Sequence, residues 1–307
     1  MEWYVTLLAG LAILFALFLS GAPIFLAFLF AILTGVYVII GPFGFPMFIN
    51  SVFDTATTTS LASIPLFILM GELLFRSGTM DVLFDSIDKL VGRVRGRQYV
   101  LVVALSAVFG ALSGVAMAVA AMLGRAIMPG MVQRGYDRDI AAGLIISGAS
   151  LAPIIPPSLL AIIVGSIAEV SIAKLLIAGI LPGIMLAGVF LVYVFVRIAL
   201  DPTKAPANVE GERAEVSGRE ILVALIRTLP FVIVIFSVMG FILLGIATPS
   251  ESAATGVIGA LITAAIYKNF SLRMIWDSVM AAMTVSAMIL AIMAMSKMFT
   301  QLLAFTG

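Results

Sequence analysis

The chain has 307 residues, 63% of them apolar and 11% charged, with a formal net charge of +1 and neither cysteine nor histidine. A soluble domain carries about 25% charged residues, so this chain has too few to cover a surface wetted on all sides. Disulfides, thiolate or imidazole metal sites and His-based acid–base chemistry are excluded, and no basic face points to nucleic acid.

The N-terminus has no charged leader region and no small-residue cleavage site, so Trp3 onward reads as a first membrane span. Leu11 to Leu19 is apolar without a break, and Leu181–Val196 and Phe231–Ile246 contain no charge. A bilayer core of about 30 Å takes roughly 20 helical residues. The runs are separated by Gly, Pro and charge clusters and do not alternate in short blocks, which favours helices over a membrane β-barrel. Spans are predicted near 3–20, 23–41, 60–76, 139–168, 174–198, 221–246, 250–267 and 281–304. Segments 46–58 and 79–92 read as amphipathic helices lying at the interface, the second with Val82, Leu83, Ile87, Leu90 and Val91 as its apolar positions.

Lys and Arg are retained in the cytoplasm, which orients the chain. With the N-terminus outside, the third span delivers Arg76, Lys89, Arg93, Arg95 and Arg97 inside. The apolar stretch 99–133 then exits with Arg125, Arg134 and Arg138. A single crossing would put those three outside. A re-entrant hairpin turning at Ser113-Gly114 keeps them inside; two closely spaced full spans are the alternative. With the hairpin, 15 of the 17 basic residues fall on one side, Lys174 and Lys297 being the exceptions.

The two ends of the chain echo each other. Gly21-Ala22-Pro23 matches Ala247-Thr248-Pro249, Met47–Val52 matches Met274–Val279, and Leu73-Leu74 with Ser77-Gly78 matches Leu302-Leu303 with Thr306-Gly307, at offsets of 226, 227 and 229. One unit starts outside and the other inside, which is the inverted-topology repeat of many secondary transporters. The second unit stops at Gly307, so the reading expects a C-terminally truncated chain lacking the counterpart of 79–198.

Ser147-Gly148-Ala149-Ser150-Leu151-Ala152-Pro153-Ile154-Ile155-Pro156-Pro157-Ser158 falls in mid-membrane. Its three prolines remove three backbone donors, and freed carbonyls must be met by protein or line a wet cavity. Broken helices of this kind offer carbonyls to cations and helix N-termini to anions. The plain alternative is a packed kink. Ser113-Gly114 offers a tight turn and one oxygen ligand, or only a small-residue helix contact. Glu72 is set to pair with Arg76, Glu251 to cap a helix behind Pro249, and Lys297 to snorkel. The scattered methionines read as core filler.

Several motifs together resemble the large membrane subunit of TRAP (tripartite ATP-independent periplasmic) transporters. They are Ile64-Pro65-Leu66-Phe67-Ile68-Leu69-Met70-Gly71-Glu72-Leu73-Leu74, Phe109-Gly110-Ala111-Leu112-Ser113-Gly114, Met131-Val132-Gln133-Arg134-Gly135-Tyr136-Asp137, Ile155-Pro156-Pro157-Ser158, Ala178-Gly179-Ile180-Leu181-Pro182-Gly183 and Thr248-Pro249-Ser250-Glu251-Ser252-Ala253. The resemblance implies an all-α, elevator-type inner-membrane permease with inverted repeats, driven by a sodium gradient and not an enzyme. Its implied partners are a periplasmic substrate-binding protein, a small four-helix membrane subunit, the lipid bilayer and a carboxylate such as a C4-dicarboxylate, with no nucleic acid. It divides the chain into scaffold helices at 1–78, an interfacial arm at 79–98, half of a transport core at 99–198, a cytoplasmic loop at 199–220 and a second scaffold at 221–307. Sodium is implied at Ser113, Gly148 and Pro153, mainly on backbone oxygens, within a site of Ser113, Gly114, Gly148, Ala149, Ser150, Pro153, Pro156, Pro157 and Ser158. Where many relatives follow the Ser-Gly pair with further Ser or Thr, this chain has Val115, Ala116, Met117, Ala118 and Val119, which leaves coordination to carbonyls. A binding-protein-independent elevator carrier of divalent anions is the competing reading.

Overall fold

The computed structural model describes residues 3–91, 94–206 and 217–305. Arg93, Arg213, positions 207–216 of the expected cytoplasmic loop and the Thr306-Gly307 end of the sequence echo lie outside them. Every regular element among the described residues is helical. Six stretches are long and apolar enough to cross a membrane: Thr59–Arg76, Ala116–Gln133, Ile172–Leu200, Gly218–Leu243, Pro249–Ile266 and Leu272–Phe305.

The described residues form two compact units, one from 3–62 with 283–305 and one from 63–282. In the first, α1 (Trp3–Leu19) and α2 (Ile24–Gly35) are joined by a turn at Gly21, whose φ of +80° suits glycine, and by Pro23 at the N-cap. A π-helical turn, Val36–Ile40, extends α2 and stops at Gly41-Pro42. Ile32, Val36, Met298 and Leu302 form its core, and Phe28 meets Phe299 edge-on at 5.7 Å. In the amphipathic helix α3 (Phe45–Thr57) Ser51 and Thr55 are buried, the Ser51 hydroxyl donates to Gln301, and Phe45, Phe48 and Val52 pack against that core, while Ile49, Asn50, Phe53 and Asp54 are exposed.

The second unit is built on α4 (Ser63–Arg76), α5 (Thr79–Val91), α6 (Arg97–Ser113), α7 (Ala116–Ala126), α8 (Met128–Gln133), α9 (Arg138–Ala149), α10 (Leu159–Ile167), α11 (Ile172–Leu200), α12 (Gly218–Leu243) and α13 (Pro249–Ile266). Helix α14 (Leu272–Phe305) begins in this unit and ends in the first. Helix α4 packs along α13, α12 packs on α13 and on α5, and α6 packs on α9. Gly256 in α13 permits the first of these contacts, because a Cβ there would lie 2.5 Å from the Met70 sulfur. Helix α5 forms where the amphipathic pattern predicts it, but Leu83 and Ile87 are buried and the helix packs against α12 and α6. Its apolar face is thus covered by protein in part, with Leu90 still exposed.

The caps and pairs follow the local sequence. Thr248 and Glu251 form a reciprocal capping box at α13, with the Thr248 amide donating to the Glu251 carboxylate at 2.7 Å. Glu72 and Arg76 pair at 2.8 Å. Lys297 is exposed. Two expectations shift. The last span begins at Leu272 and not near 281, so α14 runs without a break where its echo in the first half is split into α3 and α4. The second arm of the expected hairpin is also longer than its sequence suggested, since α7 and α8 together reach the length of a span.

Candidate functional site

Helix α6 carries the site on one face. Ser106, Gly110 and Ser113 recur at i, i+4 and i+7 and so lie one above another. The helix ends at Gly114, which adopts φ +63° and donates its amide to the Gly110 carbonyl at 2.7 Å. Such a left-handed cap favours glycine. Val115 is extended, and α7 starts at Ala116. The turn expected at Ser113-Gly114 is therefore present.

The chain breaks as expected between α9 and α10. Consecutive turns run from Ser147 to Ile155, with the Leu151 carbonyl accepting from the amides of both Ile154 and Ile155. The Pro156-Pro157 bond is cis. Ser158 then caps α10, its Oγ accepting from the Ala161 amide at 3.2 Å.

The two breaks lie against each other. A Cβ on Gly110 would meet Ala152 Cα at 2.8 Å, and one on Gly114 would meet the Leu159 amide nitrogen at 3.2 Å. A Cβ on Gly148 would lie 2.5 Å from Ser106 Oγ, and Gly71 in α4 faces Ser113 Cα at 3.1 Å. From the other side, Gly179 and Gly183 of α11 admit Ile154 and Ile155: a Cβ on Gly179 would sit 2.5 Å from the Ile154 carbonyl oxygen. The spacing of these two glycines is the small-xxx-small pattern of close membrane-helix packing.

The contacts join Gly148 to Ser106, Ala152 to Gly110, Leu159 to Gly114 and Ser113 to Gly71; Ala149, Ser150, Pro153, Pro156, Pro157 and Ser158 lie along the same broken segment. Their oxygens are not equally available. The Pro153 carbonyl accepts the Ser158 hydroxyl at 2.5 Å, so the group freed by proline is already met once. The Ser113 hydroxyl, 5% exposed, accepts weakly from the Val115 amide at 3.3 Å. The sequence reading missed Ser106. Its side chain is fully buried against Gly148, and its Oγ has no hydrogen-bond partner among the described residues. A buried hydroxyl without a partner is costly. The i, i+4, i+7 spacing with Gly110 and Ser113 was the available signal. Among the described residues no cluster of three or more acidic side chains is arranged to hold a metal, so an ion here would be held by neutral oxygens.

At the charged end of the unit, the Gln133-Arg134-Gly135-Tyr136-Asp137 stretch has a structural role. The fully buried Tyr99 donates its hydroxyl to the Lys204 carbonyl at 2.8 Å and accepts the Asp137 amide at 3.1 Å. Asp137 caps α9 through Oδ1, bonding the Asp139 and Ile140 amides at 3.0 Å, while Oδ2 meets Lys204 Nζ at 2.5 Å. The Lys204 hydrogen bond, with help from those amides, holds the Asp137 carboxyl below the usual carboxylate range, and Asp137 in turn holds the Lys204 ammonium above its ordinary value. Arg95 adds a hydrogen bond to the Pro202 carbonyl at 2.8 Å. Together these bonds tie the segment after α11 to the starts of α6 and α9.

Residues 11–307 match the family described as tripartite ATP-independent periplasmic transporter, DctM component. The chain belongs to this family. It is similar to the C4-dicarboxylate TRAP transporter large permease of Pseudomonas aeruginosa, at 28% identity over 82% of this chain and 57% of the relative. It is also similar to the ectoine TRAP transporter large permease of Halomonas elongata, at 28% identity over 96% and 68%. The sialic acid TRAP transporter permease of Haemophilus influenzae is 28% identical over 78% and 38%. The chain therefore spans 57%, 68% and 38% of the length of these three relatives. As a member of a permease family with six apolar helices it is a multi-pass membrane protein and not an enzyme.

Proposed function

We propose that the chain works as the large membrane subunit of a sodium-gradient-driven importer of organic acids, with a periplasmic binding protein and a small four-helix membrane subunit as partners. The observation that carries this reading is the contact of two helix breaks, α6–α7 and α9–α10, through glycines that leave no room for a side chain. Paired breaks concentrate backbone oxygens and helix termini at mid-depth, which suits a cation beside a carboxylate. The relatives' names include dicarboxylate, ectoine and sialic acid, so the substrate class proposed is the carboxylate common to these solutes. Driven by about 100 mV, one positive charge gains about 2.3 kcal/mol, and a roughly tenfold sodium gradient adds about 1.4 kcal/mol. A cycle that carries one net positive charge inward then sustains at least a several-hundred-fold solute gradient; with a monocarboxylate this takes a second sodium ion, because the substrate's charge cancels that of the first. In this proposal the N-terminus is outside, the hairpin is re-entrant, and the interface moves as an elevator built on inverted repeats in the inner membrane.

The test is sodium-dependent uptake in proteoliposomes holding the partner subunit and a saturated binding protein. Ser106→Ala removes an oxygen that no protein group uses. If the hydroxyl is a sodium ligand, the sodium concentration for half-maximal uptake rises about tenfold and thermal stability in sodium-free buffer is unchanged or higher. Ser113→Ala, which removes a weakly used oxygen, gives a smaller rise. Unchanged sodium dependence in both variants would place the ion elsewhere.

A further inference from the structure

A polar cavity of about 210 Å3 lies between α9, the last turns of α11 and Lys204, and none of the residues 106–114 or 148–158 line it. Asp137, Asp139, Ser147, Tyr193, Arg197 and Lys204 contribute its polar lining. The Nε of Arg197 is buried and has no hydrogen-bond partner among the described residues. A guanidinium stays charged and keeps all its donors; in half-buried Arg197 the Nε–H is the donor left without an acceptor, and an unmet buried donor is costly. Of the nearby acids, Asp137 holds Lys204 and caps α9, Asp201 accepts from Thr203 at 2.6 Å, and the exposed Asp139 lines the cavity but among the described residues forms no ion pair with Arg197.

The position of the cavity identifies the missing acceptor. Helix α11 has 29 residues, about 44 Å at 1.5 Å per residue. That exceeds a hydrocarbon core of about 30 Å, so its terminal turns reach the headgroup layer. Tyr193 and Arg197 lie within the last two turns, where aromatic and basic residues meet headgroups. Toward the hydrocarbon, the outer face of α11 presents Val189, Val192 and Val196, all exposed, as a bed for an acyl chain.

We infer that this cavity holds the phosphate of an anionic phospholipid, with Arg197 donating to it and the Lys204 ammonium beside it. An arginine fork matches phosphate oxygens. Free inorganic phosphate shares that chemistry but would make no use of the apolar face.

The experiment compares the wild type with Arg197→Gln in phosphatidylcholine nanodiscs titrated with phosphatidylglycerol, with retained lipid read by native mass spectrometry. The wild type should retain phosphatidylglycerol with about tenfold higher affinity than the variant, the worth of one charge-assisted hydrogen bond. Arg138→Gln, an exposed arginine that does not line the cavity, should retain it like the wild type. Arg197→Lys keeps the charge without the fork and should fall between, which separates lost binding from lost folding. Millimolar inorganic phosphate should not displace the lipid. Equal retention by wild type and Arg197→Gln overturns the site. Displacement by phosphate overturns the lipid assignment.

Discussion

The glycines around the helix breaks divide into those that admit a neighbour and those that do not, and this sets what a single methyl group does. A Cβ on Gly110 would meet the backbone of Ala152, at 2.8 Å from Cα and 3.0 Å from the nitrogen, and backbone cannot rotate aside. Gly110→Ala should therefore lower stability by about 1–3 kcal/mol, the range for overpacking a filled core. Gly124, also helical, has nothing within 4 Å of a built Cβ. Gly124→Ala should be neutral or raise stability by up to about 1 kcal/mol. Thermal denaturation of the two variants in one detergent decides the matter; equal melting shifts would mean the breaks are not in close contact. Gly148→Leu, the obvious substitution from sequence, would drive a side chain into Ser106. It tests packing as much as ion binding, so the informative residue is Ser106. That serine was not legible because an apolar helix hides one hydroxyl among Leu, Val and Ala, and only the partner across the interface shows that the hydroxyl is unmet.

Among the elements, breaks and caps were legible because Pro, Gly, Ser and Thr act locally. The 147–158 break, the Gly114 turn and the Thr248–Glu251 cap stand where the sequence places them. The start of α14 at Leu272 was not, since nothing local separates a helix lying at an interface from the first turns of a span. The clamp formed by Asp137, Tyr99 and Lys204 joins residues 105 positions apart, a distance that no local pattern encodes. Its pH behaviour follows from the shifts. The depressed Asp137 carboxyl contributes stability above its unfolded pKa of about 3.9, lost as pH falls through its lower folded value. The raised Lys204 ammonium contributes below about 10.4, lost as pH rises through its higher folded value. The stability difference between wild type and Asp137→Asn should thus be flat from about pH 5 to 9 and shrink below about pH 4. Asn caps a helix about as well as Asp, so this variant isolates the ion pair. A difference that varies across the neutral range would show another titrating partner.

At the scale of the whole molecule, positive charge is the one sequence signal that reports on the membrane itself. Sorting 15 of the 17 basic residues to one side, as the sequence reading proposes, needs the stretch 99–133 to return to the side it leaves, as a re-entrant pair or as two full spans. The helix lengths leave the alternative physically open, because α7 and α8 together are long enough to cross. A re-entrant pair and two full spans leave everything after residue 133 on the same side, whereas a single crossing reverses it. The native chain has no cysteine, so single cysteines report position without background. With a re-entrant pair and the N-terminus outside, cysteine at Thr203, just after α11, faces the cytoplasm, and cysteine at Gly245, in the turn between α12 and α13, faces out. A membrane-impermeant maleimide applied to intact spheroplasts should label the Gly245→Cys protein, and should label Thr203→Cys only after permeabilisation. A crossing at 99–133 reverses both results while leaving a cysteine at Gly21, in the turn before α2, unchanged. Labelling at 21 therefore fixes the first half of the chain, and the pair at 203 and 245 decides the second. If Thr203→Cys is labelled in intact spheroplasts and Gly245→Cys is not, the stretch 99–133 crosses the membrane once. The two breaks would then meet within a different topology, and the inverted-repeat reading would fall with the re-entrant one.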